Sequence, residues 1–173
     1  MNRFLGLNTE GVLIIASIKG LKEYYSIRDF EYDFPDDLFN LFKEGIIFAA
    51  VTEESINELI IITENVEEDN LIEYKLLTNF NVLNVREDDR ILILDHATFT
   101  QICDWNHGDY NEYVNQYRNI NEYKDINLDK SIYQIHVYQK LTEDSLPSIL
   151  LKFSTLNEFD QEIITLDPIS IYN

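Results

Sequence analysis

Short aliphatic runs recur along the chain, separated by polar segments rich in Asp, Glu, Asn and Ser. Such runs, several with apolar and polar residues in alternation, predict β-strands. The predicted strands are residues 12–18, 46–51, 59–63, 74–82, 90–95, 132–139, 149–153 and 162–166, and residues 24–27 are expected to extend or pair with the first. Pro168 closes the series, at a position where we expect a sheet edge, since edge strands tolerate proline.

Residues 34–45 have the pattern of a short helix. Pro35 lies near the start, acids follow in the first turn, a lysine lies late, and Gly45 comes just past the end. Leu38, Leu41 and Phe42 then share one face. The segment therefore predicts a helix with an apolar side between the first two strands.

The sequence also repeats part of itself. Residues 51–61, VTEESINELII, resemble residues 141–151, LTEDSLPSILL, and each segment lies between two predicted strands. A strand, a polar turn with Thr and Ser hydroxyls and a returning strand are typical of a β-hairpin. We therefore predict two similar β-rich halves, 1–88 and 89–173. Chance similarity between two acidic turns is the alternative.

Length and composition favour one folded unit. The chain has 173 residues, of which 45% are hydrophobic, and this is enough for a real core and too apolar for a disordered protein. We predict a single compact domain, 1–173, that is mainly β with a few short helices, built as an antiparallel β-sandwich. An α+β fold is the alternative.

The charge balance is strongly acidic. Thirty-two Asp and Glu face 13 Lys and Arg, which gives a net charge of -19. This field repels nucleic-acid phosphates and anionic lipids, so we expect no direct nucleic-acid or membrane binding. It accelerates encounter with a basic protein, which is the partner we predict. The alternative is that the charge only keeps the protein soluble.

The chain shows no signal for export or for a membrane segment. Cys103 is the only cysteine, so no internal disulfide forms, and this is typical of a reducing compartment. The N-terminus has no long apolar stretch, and the longest aliphatic run, residues 12–16, is too short to span a bilayer. We predict a cytoplasmic protein.

No catalytic or cofactor-binding pattern is present in the sequence. His96, His107 and His136 are scattered without the spacing that places imidazoles on one metal. The five glycines form no phosphate-binding loop, and nothing brings Cys103 to a histidine. We therefore predict no enzyme, no catalytic residue, no metal and no cofactor. An enzyme whose site is assembled from dispersed residues is the alternative.

Two segments are candidate partner-binding surfaces. The first runs from residue 44 to residue 73 and contains nine acids and no Lys or Arg. Carboxylates on strand ends and turns mimic phosphates and fit the basic cleft of a nuclease. The residues we assign to this surface are Glu53, Glu54, Glu58, Glu64, Glu67, Glu68 and Asp69. A set of solvated turns without a partner is the alternative.

The second segment is aromatic. Tyr110, Tyr113, Val114 and Tyr117 recur at helical spacing close to Trp105, the only tryptophan. Trp and Tyr dominate binding energy in interfaces, so Trp105, Tyr110, Tyr113 and Tyr117 are candidate partner contacts. We expect part of this face to be buried, because exposed aromatic patches are rare on monomers.

The order of elements resembles the competence protein J family, small bacterial inhibitors of a DNA-entry nuclease. The resemblance lies in the opening aliphatic strand, in GIIFAA at 45–50 after an acidic helix, in DRILIL at 89–94 and in NLDKSIYQIHVY at 127–138. It covers about two thirds of the chain and contains no diagnostic motif. The resemblance implies a β-sandwich that inhibits a nuclease, and it assigns no functional residue here.

The leading hypothesis is therefore an acidic inhibitor or immunity protein that neutralises a basic toxin or nuclease. The alternative is a non-catalytic interaction or scaffold module that uses the Tyr/Trp face.

Overall fold

The structure is a computed structural model that describes residues 1–31, 38–63, 71–117, 124–141, 146–158 and 168–172, apart from the side chain of Asn79. These residues form ten strands and four short helices. In chain order the elements are β1 (Asn2–Asn8), β2 (Val12–Ser17), α1 (Ile18–Tyr25), α2 (Phe39–Lys43), β3 (Ile47–Val51), β4 (Ser55–Ile62), β5 (Tyr74–Val85), β6 (Ile91–Leu94), α3 (His96–Trp105), α4 (Tyr110–Gln116), β7 (Lys124–Ile126), β8 (Ser131–Lys140), β9 (Ser148–Leu156) and β10 (Ile169–Ser170).

The strands form two five-stranded sheets. The first sheet has the order β1-β4-β9-β8-β5, and the second has the order β10-β3-β2-β6-β7. The prediction of a mainly β protein with a few short helices is confirmed. The longest described helix, α3, has ten residues, so no helix in the described ranges reaches across a bilayer.

Both sheets are mixed, so the prediction of wholly antiparallel sheets is wrong. The pair β4 and β9 is parallel, and so is the pair β3 and β10, while the other neighbours run antiparallel. Parallel neighbours need a long connection, and both parallel pairs join strands that are far apart in the chain. The local pattern of strands and turns in the sequence does not predict which distant strands pair in parallel.

Strand β2 lies between two hydrophobic clusters and contributes side chains to both. Its residues Leu13 and Ile15 belong to a hydrophobic cluster that draws on both sheets. The alternate residues Ile14 and Ala16 belong to a second cluster, shared with the four helices. Because successive side chains of a strand point to opposite faces, β2 is buried on both sides. This double burial is why it is a continuous apolar run with no alternation.

Helix α1 replaces the strand predicted at residues 24–27. Ser17 caps its N-terminus and its side chain accepts a hydrogen bond from the backbone N–H of Gly20. Leu21, Tyr24 and Tyr25 are buried at the i, i+3 and i+4 positions of one helical face. The two tyrosines therefore belong to a helix that packs on the second sheet.

The predicted helix at 34–45 is confirmed for the residues that the structure describes. Helix α2 has five residues, and Leu38, Leu41 and Phe42 are all buried. Gly45 follows with a positive φ of 64°, a backbone conformation that glycine adopts without strain and that commonly ends helices. Residues 32–37, with the predicted start, lie outside the described ranges, as does the predicted strand at 162–166.

The repeated segments do not form two hairpins. β8 and β9 pair as an antiparallel hairpin, as predicted for the second copy. In the first copy β3 lies in the second sheet and β4 in the first, so the polar turn between them is a corner where the chain changes sheets. The two copies nevertheless meet, because Leu59 lies beside Ile149 and Ile61 beside Leu151 in the parallel β4–β9 pair.

Candidate functional site

The chain turns sharply at Glu10 and Gly11, between β1 and β2. The backbone N–H of Val12 donates to the carbonyl of Thr9 over 3.0 Å. Glu10 has a φ of 50° and Gly11 a φ of 86°, the two positive values that define a type I′ turn. Asn, Asp and Gly are the residues commonly found at the first central position of such a turn, so a glutamate there is strained. The turn presents the Glu10 carboxylate to solvent.

This turn is bonded to the corner between β3 and β4. The backbone N–H groups of Thr9 and Glu10 donate to the carbonyl of Glu54 over 2.9 and 3.1 Å, and Thr52 N–H donates to the carbonyl of Gly11. The hydroxyls of Thr9 and Thr52 are each 2.8 Å from the carbonyl oxygen of Glu53. Both threonines are buried, so two loops are fixed together by backbone and hydroxyl contacts.

Glu10, Glu53 and Glu54 form what we call the acidic corner. All three are exposed, and in the described part of the chain none of their carboxylates pairs with a Lys or Arg side chain. His96 N–H donates to the carbonyl of Thr9 over 3.3 Å, which brings the start of α3 to the same end of the molecule. The corner is therefore a set of uncompensated negative charges on a rigid frame.

The residues beside the corner add a further carboxylate. Asp95 caps α3 and accepts hydrogen bonds from the backbone N–H and the hydroxyl of Thr98 over 2.7 and 3.0 Å. Burial lowers the pKa of His96, and the negative charges of Glu10 and Asp95 oppose this effect without overcoming it. His96 therefore favours its neutral form more than an exposed histidine does.

A cavity of about 510 Å³ opens next to the acidic corner, between β1 and β6. Its walls include the aliphatic side chains of Leu5, Leu7 and Leu13, and among the described residues that line it only Asp95 and Lys124 have ionisable side chains. The ionisable groups of the lining are therefore one carboxylate and one amine.

The remaining acids of the predicted surface are placed differently. Glu58 is buried in β4 and forms an ion pair with Arg3 of β1. Its negative charge is therefore neutralised by Arg3, and its side chain is not part of the exposed acidic surface. Glu64, Glu67, Glu68 and Asp69 lie outside the described residues.

The aromatic segment divides into a buried and an exposed part. Tyr110 and Tyr113 lie in the hydrophobic cluster with the helices, and the Tyr113 hydroxyl donates to the Gln101 side-chain oxygen over 2.9 Å. Trp105 is 53% exposed and Tyr117 is 37% exposed. Their ring centroids are 5.9 Å apart, and the Tyr117 ring also lies 5.1 Å from the Tyr113 ring. We call Trp105 and Tyr117 the aromatic pair.

The described histidines, cysteine and acids do not assemble into a metal site. Within the described ranges no three His, Cys, Asp or Glu side chains come together as a metal site. Cys103 is fully buried, and burial raises the pKa of its thiol well above the usual value, although a hydrogen bond with Tyr25 acts in the opposite direction. The thiol is therefore protonated and enclosed.

The candidate residues predicted from the sequence do not include Glu10 and Asp95. Both are far along the chain from the acidic segment at 44–73, and the hydrogen bonds of Thr9, Glu10 and Gly11 bring their loops to it. The Glu10-Gly11 pair before an aliphatic run is a turn signal that was available in the sequence. Comparison of the chain with models of protein families, with curated proteins and with solved structures found no match.

Proposed function

We propose that this protein acts by binding a basic protein through the acidic corner, and not by catalysing a reaction. The observation that carries the proposal is the set of three exposed carboxylates, Glu10, Glu53 and Glu54, without a described cationic partner, on two loops fixed by buried threonines. A rigid surface loses little conformational freedom when a partner binds. Uncompensated charges also steer an oppositely charged partner and raise its association rate.

The proposed partner is a basic toxin or nuclease, and the proposed role is that of an inhibitor or immunity protein in the cytoplasm. Carboxylates held at fixed positions mimic the phosphates that a nucleic-acid-binding cleft recognises. The resemblance to the competence protein J family implies the same role. The proposal takes the two sheets as layers of a β-sandwich, since one hydrophobic cluster draws on both.

Charge reversal tests this proposal. The double variant Glu53→Lys/Glu54→Lys is compared with Glu31→Lys/Glu158→Lys, which changes the net charge equally at exposed acids of neither surface. Basic proteins encoded by neighbouring genes are assayed as partners, by calorimetry at low and high salt. We expect the corner variant to weaken binding at least tenfold, since close interfacial charge pairs contribute about 1.5 kcal/mol or more.

The control variant should stay within about twofold of the native affinity, since distant charges are screened. Equal losses in both variants, or a complex whose affinity does not change with salt, would refute recognition by the corner.

The exposure of the aromatic pair favours a second candidate, a non-catalytic interaction or scaffold module. In that case the partner contacts Trp105 and Tyr117, and the Glu53→Lys/Glu54→Lys variant binds as the native protein does. The same calorimetric series therefore separates the two candidates.

A further inference from the structure

The aromatic pair lies where two helices end. Trp105 is the last residue of α3, and Tyr117 is the C-cap of α4. The carbonyl groups at a helix C-terminus carry partial negative charge, which favours a nearby cation. The pair therefore combines two exposed aromatic side chains with the negative ends of two helices.

An exposed acid beside Trp105 gives the same sign. Asp104 directly precedes Trp105, and in the described ranges it forms no ion pair with Lys or Arg. A cation that approaches Trp105 thus meets negative potential from this side chain as well as from the helix end.

The fold already places cations on other aromatic rings. The Arg28 guanidinium lies 4.2 Å from the centre of the Tyr24 ring, and that of Arg90 lies 5.1 Å from the centre of the Tyr110 ring. Within the described part of the chain, no Lys or Arg lies over Trp105 or Tyr117 in this way. Tryptophan is the side chain that binds cations most strongly through its ring face.

We propose that the aromatic pair is a receptor for a guanidinium or ammonium side chain of a basic protein partner. This is a contact point separate from the acidic corner, because the corner is at the start of α3 and Trp105 at its end, about 15 Å away along the helix. The identity of the partner rests on the proposed function, while the affinity of the pair for a cation does not.

Trp105 is the only tryptophan, so its fluorescence reports on the site directly. The protein is titrated with tetramethylammonium chloride and with an arginine-rich peptide, against sodium chloride at matched ionic strength. We expect a saturable change in Trp105 emission with both cations and none with sodium. A response equal to that of sodium chloride overturns the proposal.

Variants at Tyr117 test the role of its ring. Tyr117→Phe keeps a ring face and should bind the peptide within about twofold of the native protein. Tyr117→Leu keeps an apolar side chain without the ring and should weaken binding by about two- to thirtyfold, the range expected for a cation over an aromatic ring. Far-ultraviolet circular dichroism verifies that both variants are folded. Equal affinities of the Phe and Leu variants contradict the proposal.

Variants of the acidic corner test whether the cation is attracted by the aromatic pair or by the net charge of the protein. Glu53→Lys/Glu54→Lys should leave the tetramethylammonium titration of Trp105 unchanged, whereas Asp104→Asn should weaken it. If the basic proteins encoded by neighbouring genes fail to bind while the titration saturates, the proposed function fails and the cation receptor stands. If the partner binds through the corner while the titration shows no saturation, the receptor is excluded and the proposed function stands.

Discussion

The hydroxyl of Thr9 lies 2.8 Å from the hydroxyl of Thr52, 43 positions later in the chain. Both oxygens also lie 2.8 Å from the carbonyl oxygen of Glu53. The two hydroxyl hydrogens are therefore shared among three short oxygen–oxygen contacts in a buried cluster. This cluster joins the β1–β2 turn to the β3–β4 corner.

Thr52→Val removes one hydroxyl from this cluster and keeps the size of the side chain. We expect the free energy of unfolding to fall by about 1–2 kcal/mol, because buried polar groups lose a partner. Urea unfolding measures this loss, with Thr52→Ser as the control that keeps the hydroxyl. In a double-mutant cycle with Thr9→Val, the losses should depart from additivity by about 0.5 kcal/mol or more. Strictly additive losses would mean that the hydroxyls act independently.

Glu10 is strained by its positive φ, and relief of this strain should stabilise the protein. Asn adopts this backbone conformation more easily, so Glu10→Asn should raise the free energy of unfolding by about 0.5–1 kcal/mol. If the corner binds a basic partner, the same variant should bind more weakly, since it lacks the carboxylate. Glu10→Gln is the matched control, because it removes the charge and keeps the strain. An equal gain in the Gln variant would assign the effect to charge repulsion.

Gly108 packs against the backbone of α1. A Cβ atom at this position would lie 2.4 Å from the Leu21 carbonyl oxygen, and its φ is 75°. Gly11 has a φ of 86° with no atom within 4 Å of the same point. Gly11→Ala should therefore cost about 1 kcal/mol from backbone strain alone, and Gly108→Ala about 2 kcal/mol more from the clash. Urea unfolding of both variants makes the comparison, and equal costs would show that the loop moves away freely.

The lowered pKa of His96 makes stability depend on pH. Burial holds its folded pKa below the unfolded value of about 6.5, so the unfolded chain binds the proton more tightly. This contribution to stability is present above pH 6.5 and is lost as the pH falls through the folded pKa. We expect the free energy of unfolding to decrease between about pH 7.5 and about pH 5.5.

His96→Gln should make that decrease smaller, as measured by urea unfolding across the same range. Part of the decrease should remain, since burial also lowers the pKa of His136. An unchanged slope in His96→Gln would show that other groups cause the effect. His107→Gln, at an exposed position, controls for the substitution itself.

The sequence predicts best the strands whose pattern of apolar and polar residues follows the burial of their faces. β2 and β6 are continuous apolar runs because both of their faces are buried. In β8, apolar and polar residues alternate because only one face is buried. Edge strand β1 is absent from the prediction, since none of its residues is buried and Gly6 interrupts it. Helix α3 is absent from the prediction as well, because Thr98 and Thr100 are poor helix formers, although Asp95 is of a type that caps helices.

Pairing between distant segments could not be predicted from local pattern. The acidic turn at 52–54 has the composition of a hairpin, yet its bonds to Thr9 and Glu10 direct β4 into the other sheet. The same limit applies to the candidate surfaces. Glu58 belongs to an acidic run in the sequence, but its side chain lies beside Arg3, 55 positions away.

Strand β9 lies in the middle of the first sheet, between β4 and β8, although it follows both of them in the chain and is the last long strand among the described elements. A nascent chain that has emerged only as far as Lys140 therefore contains the β1–β4 and β5–β8 pairs without the strand that joins them. Synthesis must therefore continue past Leu156, the last residue of β9, before this layer closes. Until then β4 and β8 each expose an unsatisfied edge, which is the stage at which a chaperone would protect the chain from aggregation.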